Sequence, residues 1–237
     1  TDLIAANIGG ANPDGVYWLK NTGSLTSFDR TFIAASQSVN EPEDVNAFDF
    51  DGDGQVEVIV CEQDAGDISL YKQDTSDPEG AWSATALITD APKVHCTYIT
   101  DINDDGRMDI LYVYEGTTSG EGGVGWLEYT GGDPTDANNW TDHKVLTLEG
   151  AWWIDQKGPK DYSDNGTANE FLISVRENAN SAANGEICYV TPAANPENTW
   201  SKTTIDTNVI AVINSSGNLF GDSEGRDVAV ADLDSTT

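Results

Sequence analysis

Short apolar bursts alternate with clusters of Gly, Asn, Asp and Pro along this chain, and the pattern predicts β-strands throughout. β-rich runs stand at Leu3-Ile4-Ala5-Ala6, Val56-Glu57-Val58-Ile59-Val60, Met108-Asp109-Ile110-Leu111-Tyr112-Val113 and Phe171-Leu172-Ile173-Ser174-Val175. Each is followed by a second strand-like segment, and these align as Tyr17-Trp18-Leu19-Lys20, Ser69-Leu70-Tyr71-Lys72, Gly125-Trp126-Leu127-Glu128 and Ile187-Cys188-Tyr189-Val190. Further on, an aromatic precedes an aliphatic by five positions: Phe28 and Ile33, Trp82 and Leu87, Trp140 and Val145, Trp200 and Ile205. No apolar stripe of 3.6-residue period reaches helical length.

The pattern recurs at a spacing of roughly fifty to sixty residues, which bounds units near 1–40, 41–91, 92–150 and 151–208, with a partial unit at 209–237. Each unit reads as inner strand, acidic loop, strand, turn, strand, turn, outer strand. A repeated four-strand unit of this size is a propeller blade, and a blade buries both its faces only by stacking on neighbours. The expectation is one all-β domain over 1–237, a β-propeller of four-stranded antiparallel blades. The repeat-position aromatics are assigned to the core between blades.

At the ends, Asp227-Val228-Ala229-Val230-Ala231-Asp232-Leu233-Asp234 matches Asp44-Val45-Asn46-Ala47-Phe48-Asp49-Phe50-Asp51. Either this segment completes the first blade and closes a ring of about five blade positions, or the chain is cut mid-blade. The first residue is Thr with no signal-like segment, so a processed product or a fragment is expected.

Two loops carry the chemistry. Asp49-Phe50-Asp51-Gly52-Asp53-Gly54-Gln55-Val56-Glu57 and Asp101-Ile102-Asn103-Asp104-Asp105-Gly106-Arg107-Met108-Asp109 occupy the same repeat position. Oxygen ligands at positions one, three and five converge on one point, Gly at six permits the bend, the carbonyl at seven (Gln55, Arg107) faces inward, and a carboxylate at nine closes the shell. Hard, charged oxygen donors suit Ca²⁺. Position twelve is Val60 or Tyr112 and strands follow, so neither loop is an EF-hand. A third loop, Asp161-Tyr162-Ser163-Asp164-Asn165-Gly166-Thr167-Ala168-Asn169, keeps the spacing but reads as a weak or empty site, with Asp161, Ser163, Asn165 and Asn169 at the ligand positions.

Charge sharpens this picture. Asp and Glu number 41 against 11 Lys and Arg, for a formal charge of −30. Such a field repels nucleic acid and anionic membranes and attracts cations. No apolar run approaches a membrane span, so no membrane insertion is expected. Cys61, Cys96 and Cys188 are too few for a disulfide scaffold and read as buried thiols, with one disulfide still open. Sequons stand at Asn139, Asn165 and Asn214, and a glycan on Asn165 would compete with metal ligation. Of the two histidines, His143 falls on an outer strand, and His95 precedes an inner strand where it could face a central channel, with Lys93, Tyr98 and Arg107 near it in sequence; with no base and orienting partner beside it, His95 reads as a lone structural histidine and no catalytic residue is assigned.

The Asp-x-Asp-x-Asp-Gly-x-x-Asp/Glu loop between strands, followed by a Trp-Leu-like strand, resembles the FG-GAP/VCBS repeat family. That family includes the integrin α-subunit propeller, a fungal lectin and many bacterial secreted proteins. The resemblance implies a seven-bladed propeller, of which this chain would be a piece, with calcium in the blade loops and extracellular adhesion or carbohydrate binding. Its propeller lyases use His, Tyr and Arg near the channel mouth. The expectation is an extracellular or cell-surface binding, adhesion or structural module for glycans or extracellular proteins, alone or within a larger chain or assembly. The alternatives are a carbohydrate-active enzyme of polysaccharide-lyase type and a subunit of an extracellular filament or sheath.

Overall fold

The structure, a computed structural model, describes residues 1–7, 15–24, 26–35, 39, 41–74, 76–77, 79–118, 120–176 and 185–207. Asn214 and the segment Asp227–Asp234, with the ring closure argued from it, lie outside the described residues. Among the described residues the fold is all-β: one three-stranded and three four-stranded antiparallel sheets, each built from strands consecutive in sequence. The first sheet is β1 (Leu3–Asn7), β2 (Gly15–Ser24) and β3 (Ser27–Ala35). The second is β4 (Pro42–Phe48), β5 (Glu57–Glu62), β6 (Asp67–Lys72) and β7 (Ser83–Ile88). The third is β8 (Val94–Thr100), β9 (Asp109–Tyr114), β10 (Gly123–Tyr129) and β11 (Trp140–Thr147). The fourth is β12 (Ala151–Ile154), β13 (Phe171–Val175), β14 (Glu186–Thr191) and β15 (Ser201–Asp206). One 3-10 turn, Ala137–Asn139, leads into β11.

The core lies between sheets. Side chains alternate across a strand, so successive residues of β5 and β9 face opposite neighbours. Val58 and Val60 pack with Val16 and Ile33 of the first sheet, while Ile59 and Cys61 pack with Ile110, Tyr112 and Leu127 of the third. Leu111 and Val113 then pack with Phe171, Ile173 and Val175 of the fourth. All six residues of β5 are buried, as are all five of β13. This explains why these strands read as continuous apolar runs in the sequence. Such stacking, each sheet sandwiched by its neighbours, is the packing of propeller blades.

Side-chain bonds tie adjacent first strands. Asp44 Oδ2 on β4 accepts from Thr97 N on β8 at 2.8 Å, and Asn46 Nδ2 donates to Thr97 Oγ1 at 2.9 Å. Gln156, just past β12, donates to Thr97 O at 3.1 Å. Cys61, Cys96 and Cys188 are free, buried thiols, and burial pushes all three up from their ordinary pKa.

The repeat aromatics divide by sheet. Trp140 and Trp200 are buried, whereas Trp82 is half-buried. Ile205 is 56 % exposed although its counterpart Val145 is buried. Among the described residues no sheet follows β15 to cover it.

His95 faces the interior between sheets and is fully buried, not exposed toward a channel. Its ring lies 3.6 Å from that of Trp152, and the Arg176 guanidinium sits over the same indole at 4.6 Å. Gln63 Nε2 is 3.2 Å from His95 Nδ1, and Glu115 Oε2 is 3.5 Å from Nε2. Burial lowers the His95 pKa from 6.5, outweighing the opposing pull of Glu115. The unfolded chain therefore holds the proton more readily, so stability is present above pH 6.5 and is lost as pH falls toward the folded value. We expect the melting temperature to fall between pH 7.5 and pH 5.5, a window about the ordinary histidine pKa. His95→Gln should flatten that slope in thermal melts across the window; an unchanged slope would assign the acid sensitivity to other groups.

Candidate metal centre

Each acidic loop joins the first strand of a sheet to its second. The three loops share one backbone. Position four takes positive φ in all of them: 74° at Gly52, 59° at Asp104 and 58° at Asp164. Position six repeats it at Gly54, Gly106 and Gly166, with φ of 88°, 85° and 86°. Aspartate tolerates the left-handed region better than most side chains, which lets two loops dispense with a first glycine.

The first carboxylate organises each turn. Asp49 accepts from the N–H groups of Asp53 at 3.1 Å and Gly54 at 2.9 Å. Asp101 does the same with Asp105 at 3.1 Å and Gly106 at 2.8 Å. Asp161 does so with Asn165 at 2.8 Å and Gly166 at 2.6 Å. The fifth residue then accepts from the seventh: Asp53 from Gln55 N, Asp105 from Arg107 N, Asn165 from Thr167 N. Position three joins in the first two loops, where Asp51 and Asn103 accept from Asp53 N and Asp105 N at 3.1 Å.

A buried carboxylate closes each loop at the head of the second strand. Glu57 Oε2 accepts from Phe50 N, and Asp109 Oδ2 from Ile102 N, both at 3.0 Å. In the third loop Glu170 fills this place, accepting from Ser163 N at 2.7 Å and 1 % exposed. The spacing argument put Asn169 there; the structure moves the closing position one residue on. The third loop is longer by one residue after its glycine, so Phe171 pairs with Val190 as Val58 pairs with Tyr71. Asn169 is left with a buried Oδ1 that has no hydrogen-bond partner. The signal available in the sequence was the acid directly preceding each buried run: Glu57-Val58, Asp109-Ile110, Glu170-Phe171. Asp2 stands in the same place ahead of β1, accepting from Asn21 N at 2.8 Å and Trp18 Nε1 at 3.1 Å.

The first loop gathers Asp49, Asp51 and Glu57 so that one oxygen of each lies within 4.8 Å of the others. Oxygens gathered this closely are within reach of one hard cation, whose oxygen ligands stand about 2.3–2.6 Å away. Gln55 Oε1 is buried without a hydrogen-bond partner, whereas the buried Glu57 Oε1 has the Lys72 ammonium 2.9 Å away. Burial raises the Glu57 pKa against the pull of Lys72 and Phe50 N–H. Burial likewise raises Asp109 to about 6, outweighing bonds from Ile102 N and Tyr129 N, with Asp105 and Asp101 adding repulsion. Acids held this way favour a neutralising cation. In the second loop Arg107 instead turns its guanidinium to Asp105 and donates Nε–H to Tyr129 O at 2.9 Å.

Position two anchors the loops, a role that the ligand pattern gave no reason to seek. Phe50 lies 5.1 Å from Trp140 and 5.8 Å from Tyr129, both of the third sheet. Ile102 packs toward the core shared with the fourth sheet.

Residues 49–112 match the family model described as an FG-GAP-like repeat. This stretch is similar to an FG-GAP-like repeat. The match runs from the first acidic loop through β5 to β8 and the second loop into β9, and so takes in both complete acidic loops. No curated protein matches the chain.

The other candidates lie apart from one another. Tyr98 packs on Phe171, Arg107 belongs to the second loop, and His95 is enclosed as described, so these three do not form one cluster. His143 stacks on Trp126 at 4.5 Å and meets Glu128 at 2.9 Å. Asn139 uses Nδ2 to cap Asp133 O at 2.9 Å, whereas Asn165 is exposed.

Glu170→Ala should destabilise the protein by about 1–3 kcal/mol, because it removes the buried carboxylate that accepts from the Ser163 N–H. Asn169→Ala should cost less than about 1 kcal/mol, since the side chain has no bond to lose. Urea denaturation of the two variants checks this; the reverse order would return the closing role to Asn169.

Proposed function

We propose that this chain is a calcium-stabilised, propeller-like binding or adhesion module that works outside the cell, directed at glycans or extracellular proteins. The convergence of Asp49, Asp51 and Glu57 oxygens in a loop repeated with the same backbone twice more carries this reading. The FG-GAP-like repeat supports it, and no helix is long and apolar enough to cross a membrane among the described residues. In the first loop Asp49, Asp51, Asp53, Glu57 and the Gln55 carbonyl would hold the ion. In the second, Asp101, Asn103, Asp105, Asp109 and the Arg107 carbonyl would do so. In the third, Asp161, Ser163, Asn165 and Glu170 offer fewer charges and a weaker site.

Bound calcium would supply charge neutralisation where acids crowd at the junction of two strands. The protein's own part is to hold those oxygens in register and to keep Glu57 and Asp109 out of water. The sheets then present their loops as a rigid surface for a partner.

A ligand that binds only the folded state stabilises it by about 2.7 kcal/mol at a hundredfold excess over Kd. Calorimetry should therefore show a lower Tm in EGTA than in millimolar calcium. Asp51→Ala or Asp105→Ala should each remove most of one loop's share, and Asp161→Ala much less. An unchanged Tm together with no calcium in elemental analysis would make these loops plain acidic turns. A glycan array on the calcium-loaded protein tests the partner class.

A further inference from the structure

The first loop differs from the other two in what stands opposite its closing carboxylate. Lys72, the last residue of β6, pairs directly with Glu57, the first of β5. One residue beyond the Leu127–Ile110 pair, the third sheet places Glu128 there. One residue beyond Val190–Phe171, the fourth places Thr191. A strand position that is lysine, glutamate and threonine in three otherwise similar units gives the three loops different electrostatics.

The Lys72 ammonium lies among the acids of its loop. Nζ donates to Asp51 Oδ2 at 3.0 Å, and is 3.1 Å from Asp53 Oδ2 and 2.9 Å from Glu57 Oε1. The Lys72 side chain is 17 % exposed and that of Glu57 is fully buried. These three oxygens are the ones the loop's own backbone leaves free. Their partner oxygens, Asp51 Oδ1, Asp53 Oδ1 and Glu57 Oε2, already accept the N–H groups of Asp53, Gln55 and Phe50. In the second loop both oxygens of Asp109 are taken by backbone N–H groups of Ile102 and Tyr129. There Glu128 adds a negative charge and grips the Asn103 amide at 3.0 Å.

We infer that the Lys72 ammonium is the resident cation of the first loop, holding it folded without metal and competing with a divalent ion for the same oxygens. The competition rests on the calcium reading above; the resident role does not. A buried carboxylate stripped of its cation is strongly destabilising, and a cation tethered to the adjacent strand is always at hand. A divalent ion would displace the ammonium into the groove beside it, a cavity of about 930 Å³ where Asp74 and Asp133 offer it new partners. The second loop has Glu128 in place of that lysine, and its own cation, Arg107, reaches Asp105 from the loop itself while backbone N–H groups alone hold the closing Asp109, so this loop depends more heavily on an external ion.

Two measurements test this. Lys72→Met should lower the Tm in EGTA by roughly 5 °C or more, and Lys72→Gln serves if the methionine variant does not fold. On an Asp105→Ala background, which silences the second loop, Lys72→Met should bind calcium at least about tenfold more tightly in isothermal titration with CaCl₂. Calcium should then restore most of the lost Tm. A Tm in EGTA indifferent to both lysine variants would overturn the inference. A fall in EGTA that calcium leaves unrepaired would keep Lys72 as the resident cation and defeat the calcium reading of this loop. Glu128→Lys gives the reciprocal check: on an Asp51→Ala background it should weaken calcium binding at least about tenfold, and unaltered binding would count against ammonium competition.

Discussion

The buried carboxylate at the head of each second strand is the interaction on which the rest of the structure depends. Glu57, Asp109 and Glu170 each reach back across their loop to an N–H near its start. That bond fixes where the first strand ends and the second begins. Because strand side chains alternate, fixing the start also fixes which residues face which neighbour. A slip of one residue in β5 would turn Ile59 toward the first sheet and Val60 toward the third. The acidic loop is thus a register device before it is anything else. Its cost is an acid withdrawn from water, offset by backbone donors in every loop and by Lys72 in the first.

Much of this was legible in the sequence because the fold repeats. Strands buried on both faces read as unbroken β-branched runs, and the two complete loops announce themselves by carboxylates at odd positions with a glycine at six. The third loop was legible in kind but not in register. Asn169 occupies the nominal ninth place and is itself a competent oxygen donor, so counting from Asp161 selects it. Only the burial of Phe171 shows that the strand starts later. Lys72 was visible as the end of a repeated strand, yet its partner belongs to a loop fifteen residues upstream, and pairing across a sheet is not written in local spacing. His95 reads as a lone structural histidine, but a position at the start of a first strand can turn toward open space or toward the next sheet. The Trp152 ring, more than fifty residues away, decides in favour of the second.

The position-two residues show how the loops and the cores are coupled. Phe50 sits inside an acidic turn, yet its ring belongs to the aromatic cluster of the following sheet, with Tyr129 and Trp140. Neutralising charge in one loop therefore bears on packing in the next unit. The same holds for Ile102 and the fourth sheet. The polar and apolar halves of the structure are joined at single side chains.

The placement of the core between sheets has a consequence for how the molecule comes apart. Each sheet contributes one face to the interface before it and one to the interface after it, so its free energy is a sum of its own pairing and two boundary terms. Such a stack behaves as a one-dimensional array with nearest-neighbour coupling. An interior sheet is held by two boundaries, whereas among the described residues the outermost ones are held by one. Among the described residues the second and third sheets, which share the Phe50 cluster, are the ones held on both sides.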